Sequence, residues 1–466
     1  MPLGIPPDIA QKFGHAPETL AFWRRLLNTP LAISTPTPFF LLSASPIAAK
    51  ISELDQALAR AGLPPAAGSG KAAHLGRQSK IVCRHWLSCK TQPVAPLLRW
   101  WREQGRDIEV VSEFELRAAL AEGFSPPNIL VNGPAKHHWL SQPGCGPGLR
   151  DLSVNFDSPA ELTALLPLAK KLNWRCGVRL NTAEEFDPEN PAFPTQFGFT
   201  PEEAVAALKK LQRARARVET VSFHLRTNIS SAQIHLRTIA EVARICGAAE
   251  FVPSFLDLGG GLPVRHVLTR GGRVFDGEFS LRAFADILRQ SVGLFPGLRE
   301  LWLENGRFIS AGSGVLVVQI LDVKERRGLR QLVCDGGRTL HALTSLWEQH
   351  KIISVPPRSG GEVLTALHGP TCMAFDQLAR IPLPRSLRTR DRLVWLDAGA
   401  YHIPWETRFS HGHAAVLWHD KEGLSPVRES QSFEDFWGQW KFRPGPHSLP
   451  RQGVKTSSQS SPPPKL

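Results

Sequence analysis

The chain predicts an α/β fold, a (β/α)8 TIM-like barrel followed by a C-terminal antiparallel β-barrel domain. Two observations predict it. Eight short β-rich runs alternate with helical patterns between residues 81 and 304, and beyond Arg307 the alternation gives way to strands without regular helices. The eight runs are 81–90 (IVCRHWLSCK), 108–112, 128–132, 151–156, 175–180, 219–225, 254–258 and 300–304. Eight strands alternating with helices over about 220 residues fit a closed barrel better than an open sheet.

The segments between the runs carry helix signals of their own. Thr200, Pro201 and Glu203 form a capping-box start to a helix bearing Val205, Leu208 and Leu211, because the Thr oxygen can satisfy an orphan amide while Pro lacks one. The helix ELRAALAE closes at Gly123, the residue that most easily adopts the left-handed conformation. After the barrel, GVLVVQILDVKE, RQLVCD, GEVLTALHG, DRLVWLDAG and AAVLWHD read as strands. These patterns divide the chain into an N-terminal segment at 1–40, whose run TPFFLLSAS is expected to add a strand to the β domain, a barrel at 41–310, a β domain at 311–435 and a disordered tail at 436–466. The stretch GLPPAAGSGK at 62–71 reads as a loop.

Composition narrows the class. A net charge of +13 invites a search for a nucleic-acid footprint, yet no block of consecutive Lys and Arg with interleaved aromatics occurs. Lys209, Lys210, Arg213, Arg215 and Arg217 fall on the solvated side of a helix, so nucleic acid is excluded as a partner. Seven cysteines, an odd number without paired spacing, point to a reducing compartment. The N-terminus has no basic region before an apolar run, and no segment approaches the roughly 18 apolar residues of a membrane span. A soluble cytoplasmic protein is expected, with no membrane partner.

In a barrel, catalytic groups gather at the carboxyl ends of the strands. Lys90 ends the first run, Arg179 and Asn181 lie at the fifth and His224 at the sixth. Gly259, Gly260 and Gly261 follow the seventh, and Glu304, Asn305, Gly306 and Arg307 the eighth. Three glycines expose backbone amides at close approach and Arg307 supplies a bidentate fork, which together make a phosphate site. Alone, each has an ordinary reading: a solvated lysine, a packed histidine, a glycine turn. Together, a phosphate site facing a lysine, a histidine and a carboxylate is what pyridoxal phosphate requires.

The run SCKTQPVAPLLRWWREQG, with EVVSEFELRAALAEGF and ILVNGPAK, resembles the cofactor-lysine segment of the diaminopimelate, ornithine and arginine decarboxylases. Further similar motifs follow in the same order: NFDSPAEL, VRLN, QFGF, VSFH, LDLGGGLP, ENGRF, GPTCMAFD and DAGAYH. They span roughly residues 35 to 420, leaving out the termini and an insertion at 62–78. The resemblance implies an amino-acid decarboxylase of polyamine or lysine biosynthesis in which Lys90 carries pyridoxal 5'-phosphate covalently, His224 stacks on its ring and Glu304 keeps its pyridine nitrogen protonated. Gly259, Gly260, Gly261, Arg307, Tyr401 and Thr227 would hold its phosphate. Cys372 would enter from the partner subunit of a homodimer and return a proton to the product carbon. Met373 and Asp376 would face the distal end of the amino-acid substrate.

The chain departs from this pattern at several positions. Asn305 replaces the usual Pro and Arg226 the usual Gly near the phosphate turn. The segment RTLHALTSLW lacks the Arg-Pro and Tyr of diaminopimelate decarboxylases, and Met373 stands where many relatives have Asp or Glu. A racemase on the same barrel is the chemical alternative, but it needs a tyrosine base and the one tyrosine, Tyr401, belongs to the phosphate motif. A catalytically dead binding protein is the other alternative, against which Lys90 and Cys372 both stand. GSGKA at 68–72 lacks the earlier glycine and the final Ser or Thr of a phosphate-binding loop. His411, His413 and His419 read as surface histidines, and no metal is expected.

Overall fold

The computed structural model describes residues 14–66, 81–185, 195–269, 278–341 and 348–441. Most of the 62–78 insertion and all of the expected tail from 442 onward lie outside the described residues. The chain divides into a unit ending at Ser430 and a separate C-terminal unit from Gln431. In the latter a short helix, Phe433–Gly438, is capped by Ser432 and reaches into the segment expected to be tail.

The first strand, β1 (Phe39–Ser43), precedes the barrel. The barrel strands are β2 (Val82–Ser88), β3 (Asp107–Val110), β4 (Ile129–Val131), β5 (Ser153–Phe156), β6 (Arg175–Leu180), β7 (Val218–Phe223), β8 (Phe255–Asp257) and, after the two-residue β9 (Leu268–Thr269), β10 (Glu300–Asn305). They close in the order β10-β2-β3-β4-β5-β6-β7-β8, with every pairing parallel, as the alternation of runs predicts. The helix Pro201–Arg213 begins with the expected capping box between Thr200 and Glu203.

Side chains alternate in and out along each strand. The outward residues Cys83, Leu87, Ile108, Val110, Val154 and Val178 pack into the large core under the helices. The inward residues are layered. At the amino end Arg84 bridges Asp107 and Glu300, each through a 2.7 Å contact. Above them Trp86, Leu130, Phe255 and Trp302 form a separate apolar plug, with the Phe255 and Trp302 rings stacked 5.0 Å apart. Above the plug lies a polar layer in which Asn155 donates to Asn132 and Asp257, and Asn132 donates to Glu304. Gly177 makes room for it, since a Cβ there would lie 2.0 Å from Asn155 Oδ1.

The second sheet contains β11 (Gly314–Arg326), β12 (Leu329–Cys334), β14 (Ile352–Val355), β15 (Glu362–His368), β16 (Gln377–Pro384), β17 (Arg392–Trp395), β18 (Ala415–Asp420) and β19 (Gly423–Arg428), while β13 (Glu348–Gln349) pairs apart with β9. The expectation of an antiparallel barrel needs correction: this is a mixed nine-stranded sheet in which β1–β18 and β12–β15 run parallel. The cause is connectivity. Parallel neighbours need crossovers, and the whole barrel intervenes between β1, which lies between β11 and β18, and β18 itself.

Candidate active site

Lys90, His224, Thr227, Gly259, Gly260, Gly261, Glu304, Arg307 and Tyr401 line one cleft at the carboxyl ends of the barrel strands. Lys90 sits in the 3-10 turn Cys89–Thr91 after β2, and its Nζ donates to both oxygens of Glu109, at 2.8 and 3.0 Å. Burial would lower the Lys90 pKa, but the charges of Glu109 and Glu304 and the bond to Glu109 outweigh it and raise the ammonium above its ordinary value. Glu109 is almost fully buried on β3.

Glu304, next to last in β10, lies in the polar layer, 5 % exposed, and accepts from Asn132 Nδ2 at 2.6 Å. Burial pushes its carboxyl up, yet the His224 ring, Lys90 and Arg179 hold it below the usual range. Its neighbour Asp257 is raised well above the usual range by burial and by the Glu304 charge. Of these two buried carboxyls, Glu304 keeps the charge and Asp257 the proton. His224 Nδ1 lies 3.2 Å from the Gly260 amide and 3.5 Å from Glu304 Oε2.

The glycine turn is shaped for close approach. Gly259 and Gly261 have φ of +64° and +92°, and Cβ atoms on the three glycines would meet the carbonyl oxygens of Phe223, Glu304 and Arg226 at 2.6 to 2.8 Å. Opposite, the Arg307 guanidinium lies 4.9 Å from the centre of the Tyr401 ring and is ion-paired with Glu348, which the β9–β13 pairing brings alongside. Arg307 Nε is buried without a partner among the described residues. Tyr401, itself at φ +66°, is tied to the Lys90 turn by its amide donating to Thr91 O at 2.8 Å. A cradle that only glycine permits, beside a buried guanidinium whose Nε has no partner among the described residues, fits a phosphate monoester, and the adjacent lysine and ionised carboxylate fit the ring of pyridoxal phosphate.

Other expected residues lie elsewhere. Arg179 contacts Glu185 at 3.3 Å and covers the Phe197 ring, while Asn181 donates to Phe197 O, so both organise their own loop. Asn305 remains in β10 and bonds His85 Nδ1 at 2.9 Å, which leaves the Arg307 turn intact despite the departure from Pro. Cys372 is exposed and Met373 partly exposed on the turn between β15 and β16, away from the Lys90 cleft of the same chain. Asp376, expected to face substrate, is 2 % exposed and accepts from Arg338 N, Thr371 N and Thr371 Oγ1 at 2.6 to 3.1 Å. The carboxylate has its lone pairs engaged by its own turn. Glu109, Asn132, Asp257 and Glu348 went unread in the sequence, although a charge inside the β-rich run IEVVS was a usable signal for the first.

The pyridoxal binding domain of the pyridoxal-dependent decarboxylases matches residues 81–311. The chain belongs to this pyridoxal-dependent decarboxylase family. Among relatives, the diaminopimelate decarboxylase of Zymomonas mobilis is 24 % identical, covering 75 % of this chain and 83 % of the relative. That of Deinococcus radiodurans is 28 % identical over 76 % of this chain and 88 % of the relative. Among solved structures, Helicobacter pylori diaminopimelate decarboxylase complexed with L-lysine superposes at TM-score 0.72, with 21 % identity and coverage of 88 % and 98 %. A lysine/ornithine decarboxylase of Vibrio vulnificus complexed with cadaverine gives 0.69, with 18 % identity and coverage of 88 % and 100 %. This member of the family is a pyridoxal-phosphate-dependent amino-acid decarboxylase. No helix among its described residues is long and apolar enough to cross a membrane.

Proposed function

We propose that this decarboxylase carries its cofactor on Lys90, works as a homodimer with shared active sites in the cytoplasm, and acts on an amino acid whose distal end is not a bare ammonium. The observation that carries the reading is the convergence of Lys90, His224, Glu304 and the three-glycine cradle on one cleft. Bound there, pyridoxal phosphate supplies the electron sink for the pair left behind when carbon dioxide departs.

The chain's own groups prepare and complete that chemistry. Glu109 accepts hydrogen bonds from the Lys90 ammonium through both oxygens, so it positions the amine while holding the proton on Lys90 that must leave before the amine can act as a nucleophile. Glu304, ionised and fixed by Asn132, holds a proton on the pyridine nitrogen. Asp257, the neutral neighbour, lets the buried layer carry one negative charge rather than two. The His224 ring covers one face of the site, and the Gly259, Gly260 and Gly261 turn, Thr227, Arg307 and Tyr401 anchor the phosphate. Cys372, exposed on its own chain, is supplied by the second subunit and returns the proton to the product carbon. Six buried free cysteines and one exposed support a reducing cytoplasmic setting.

Borohydride reduction of the holoenzyme followed by peptide mapping tests the assignment. The label is expected on Lys90, with loss of the visible band in Lys90→Ala, and labelling of another lysine overturns it. Carbon dioxide release from a panel of amino acids then identifies the substrate.

A further inference from the structure

Behind Arg307, outside the cofactor cleft, three histidines from separate segments meet. His341 follows the turn after β12, His350 follows β13 and His402 lies in the turn after β17. All three are buried, 0, 3 and 1 % exposed, and one nitrogen from each falls within 4.8 Å of the others. Their rings stand edge to face, with centroids 4.3, 5.3 and 5.4 Å apart.

Two features of the cluster call for a cation. His402 has neither ring nitrogen hydrogen-bonded among the described residues, although a buried imidazole with no partner is costly. His350 Nδ1 lies 2.8 Å from Leu396 O, so it donates there and fixes the tautomer. Its Nε2 faces the Glu348 carboxylate at 3.0 Å, so either a proton on that nitrogen or a metal ion lies between the two. The distance also suits two ligands each about 2.0 to 2.1 Å from one ion at an angle of roughly 90 to 95°.

We propose that His341, His350 and His402, with Glu348 as fourth donor, bind one divalent transition-metal ion of the zinc class. Three imidazoles and one carboxylate favour zinc over calcium or magnesium, which take oxygen ligands. Four protein donors leave no open position, so the site is structural. The three ring nitrogens lie within 4.8 Å of one another, against about 4.0 to 4.2 Å for twice a zinc–nitrogen bond, so the rings close on the ion by about 1 Å or less. The ion clamps the His341, His350 and His402 segments together, and because Glu348 also holds Arg307, it fixes the far side of that guanidinium. The site rests on these four residues alone and stands whether or not Lys90 carries the cofactor.

Tag-free full-length protein, grown with zinc and desalted, is measured for metal by mass spectrometry. About one zinc per chain is expected in the wild type and in His411→Ala, with loss of most of it in His341→Ala and His402→Ala. Exchange of zinc for cobalt in the wild type reads the same site without a variant, and the intense visible bands of four-coordinate cobalt are expected. Wild-type protein that retains no zinc after incubation in excess, a cobalt spectrum without those bands, or folded His402→Ala that keeps its full metal content each overturns the proposal.

Discussion

Replacing Glu109 by Gln removes one negative charge from beside Lys90 while leaving an isosteric side chain. Both Glu109 oxygens accept from Nζ, and the Glu109 carboxylate is almost fully buried. A hydrogen bond to a charged group contributes roughly 1.5–3 kcal/mol. The Lys90 side chain is 34 % exposed, so solvent screening reduces this to about 1–1.5 kcal/mol. At about 1.4 kcal/mol per unit, the variant should lower the Lys90 pKa by about one unit. The sign follows from the chemistry. Lys90 reacts as the neutral amine, so capture of pyridoxal phosphate by the apoenzyme accelerates as pH rises towards the lysine's folded pKa. Glu109→Gln should move that rising limb about one unit to lower pH and speed capture near pH 8 about tenfold. Stability moves the other way. A pKa raised in the folded state contributes stability that is complete below the ordinary lysine value and is lost as pH climbs through the raised one, so the variant should be less stable than wild type at neutral pH, with the gap closing only in alkali. Stopped-flow absorbance after mixing apoenzyme with cofactor from pH 6 to 10 reads the first effect, and urea melts at matched pH read the second. A capture profile that stays in place, or moves to higher pH, would refute the assignment of Glu109 as the group that holds the Lys90 proton.

Three further outcomes are expected. Gly259→Ala places a Cβ 2.6 Å from Phe223 O at φ +64°, adding about 1–2 kcal/mol of backbone strain to a displaced carbonyl, so cofactor affinity should fall at least tenfold in equilibrium dialysis; unchanged affinity would remove this turn from the phosphate site. Mixing inactive Lys90→Ala and Cys372→Ala chains should restore about a quarter of the sites, because random pairing makes half the dimers mixed and each has one intact site; no recovery after proven subunit exchange would place both residues in one chain's site. Met373→Asp should raise kcat/KM for ornithine or lysine at least tenfold relative to the native substrate, since a buried ammonium without a carboxylate carries a penalty of several kcal/mol and Asp376 is held by its own turn. Efficient wild-type decarboxylation of ornithine or lysine would show that the distal amine is met elsewhere.

The barrel was legible because each of its strands is a short β-rich run bounded by helix signals, and the rim residues were legible because a strand's end in the sequence is its carboxyl end in space. The second sheet was legible only in part. β16 (QLARIPLP) and β19 (GLSPVR) contain proline, which demotes a run as a strand, yet β16 and β19 each occupy an end of the sheet path, where a missing amide costs least. Asp376 illustrates a different limit. Its place in the motif GPTCMAFD implied a task at the substrate, while a short acidic side chain in a tight turn also finds backbone amides, which the sequence does not show. The histidine cluster left no local trace at all, since its members come from three segments joined only by tertiary packing.

The lumen shows how packing and electrostatics depend on one period. Along β10, Glu300, Trp302 and Glu304 face inward at successive alternate positions. The first completes an ion pair with Arg84, the second plugs the barrel, and the third meets the cleft. The plug of Trp86, Leu130, Phe255 and Trp302 closes the barrel beneath the polar layer, which deepens the desolvation of both Glu304 and Asp257. In that setting two adjacent carboxyls cannot both ionise, and the groups around Glu304, the His224 ring and the cations Lys90 and Arg179, decide which one does. The charge that serves the cofactor's pyridine nitrogen is therefore set jointly by the apolar floor, which forces the pair to share one charge, and by the rim cations, which assign that charge to Glu304.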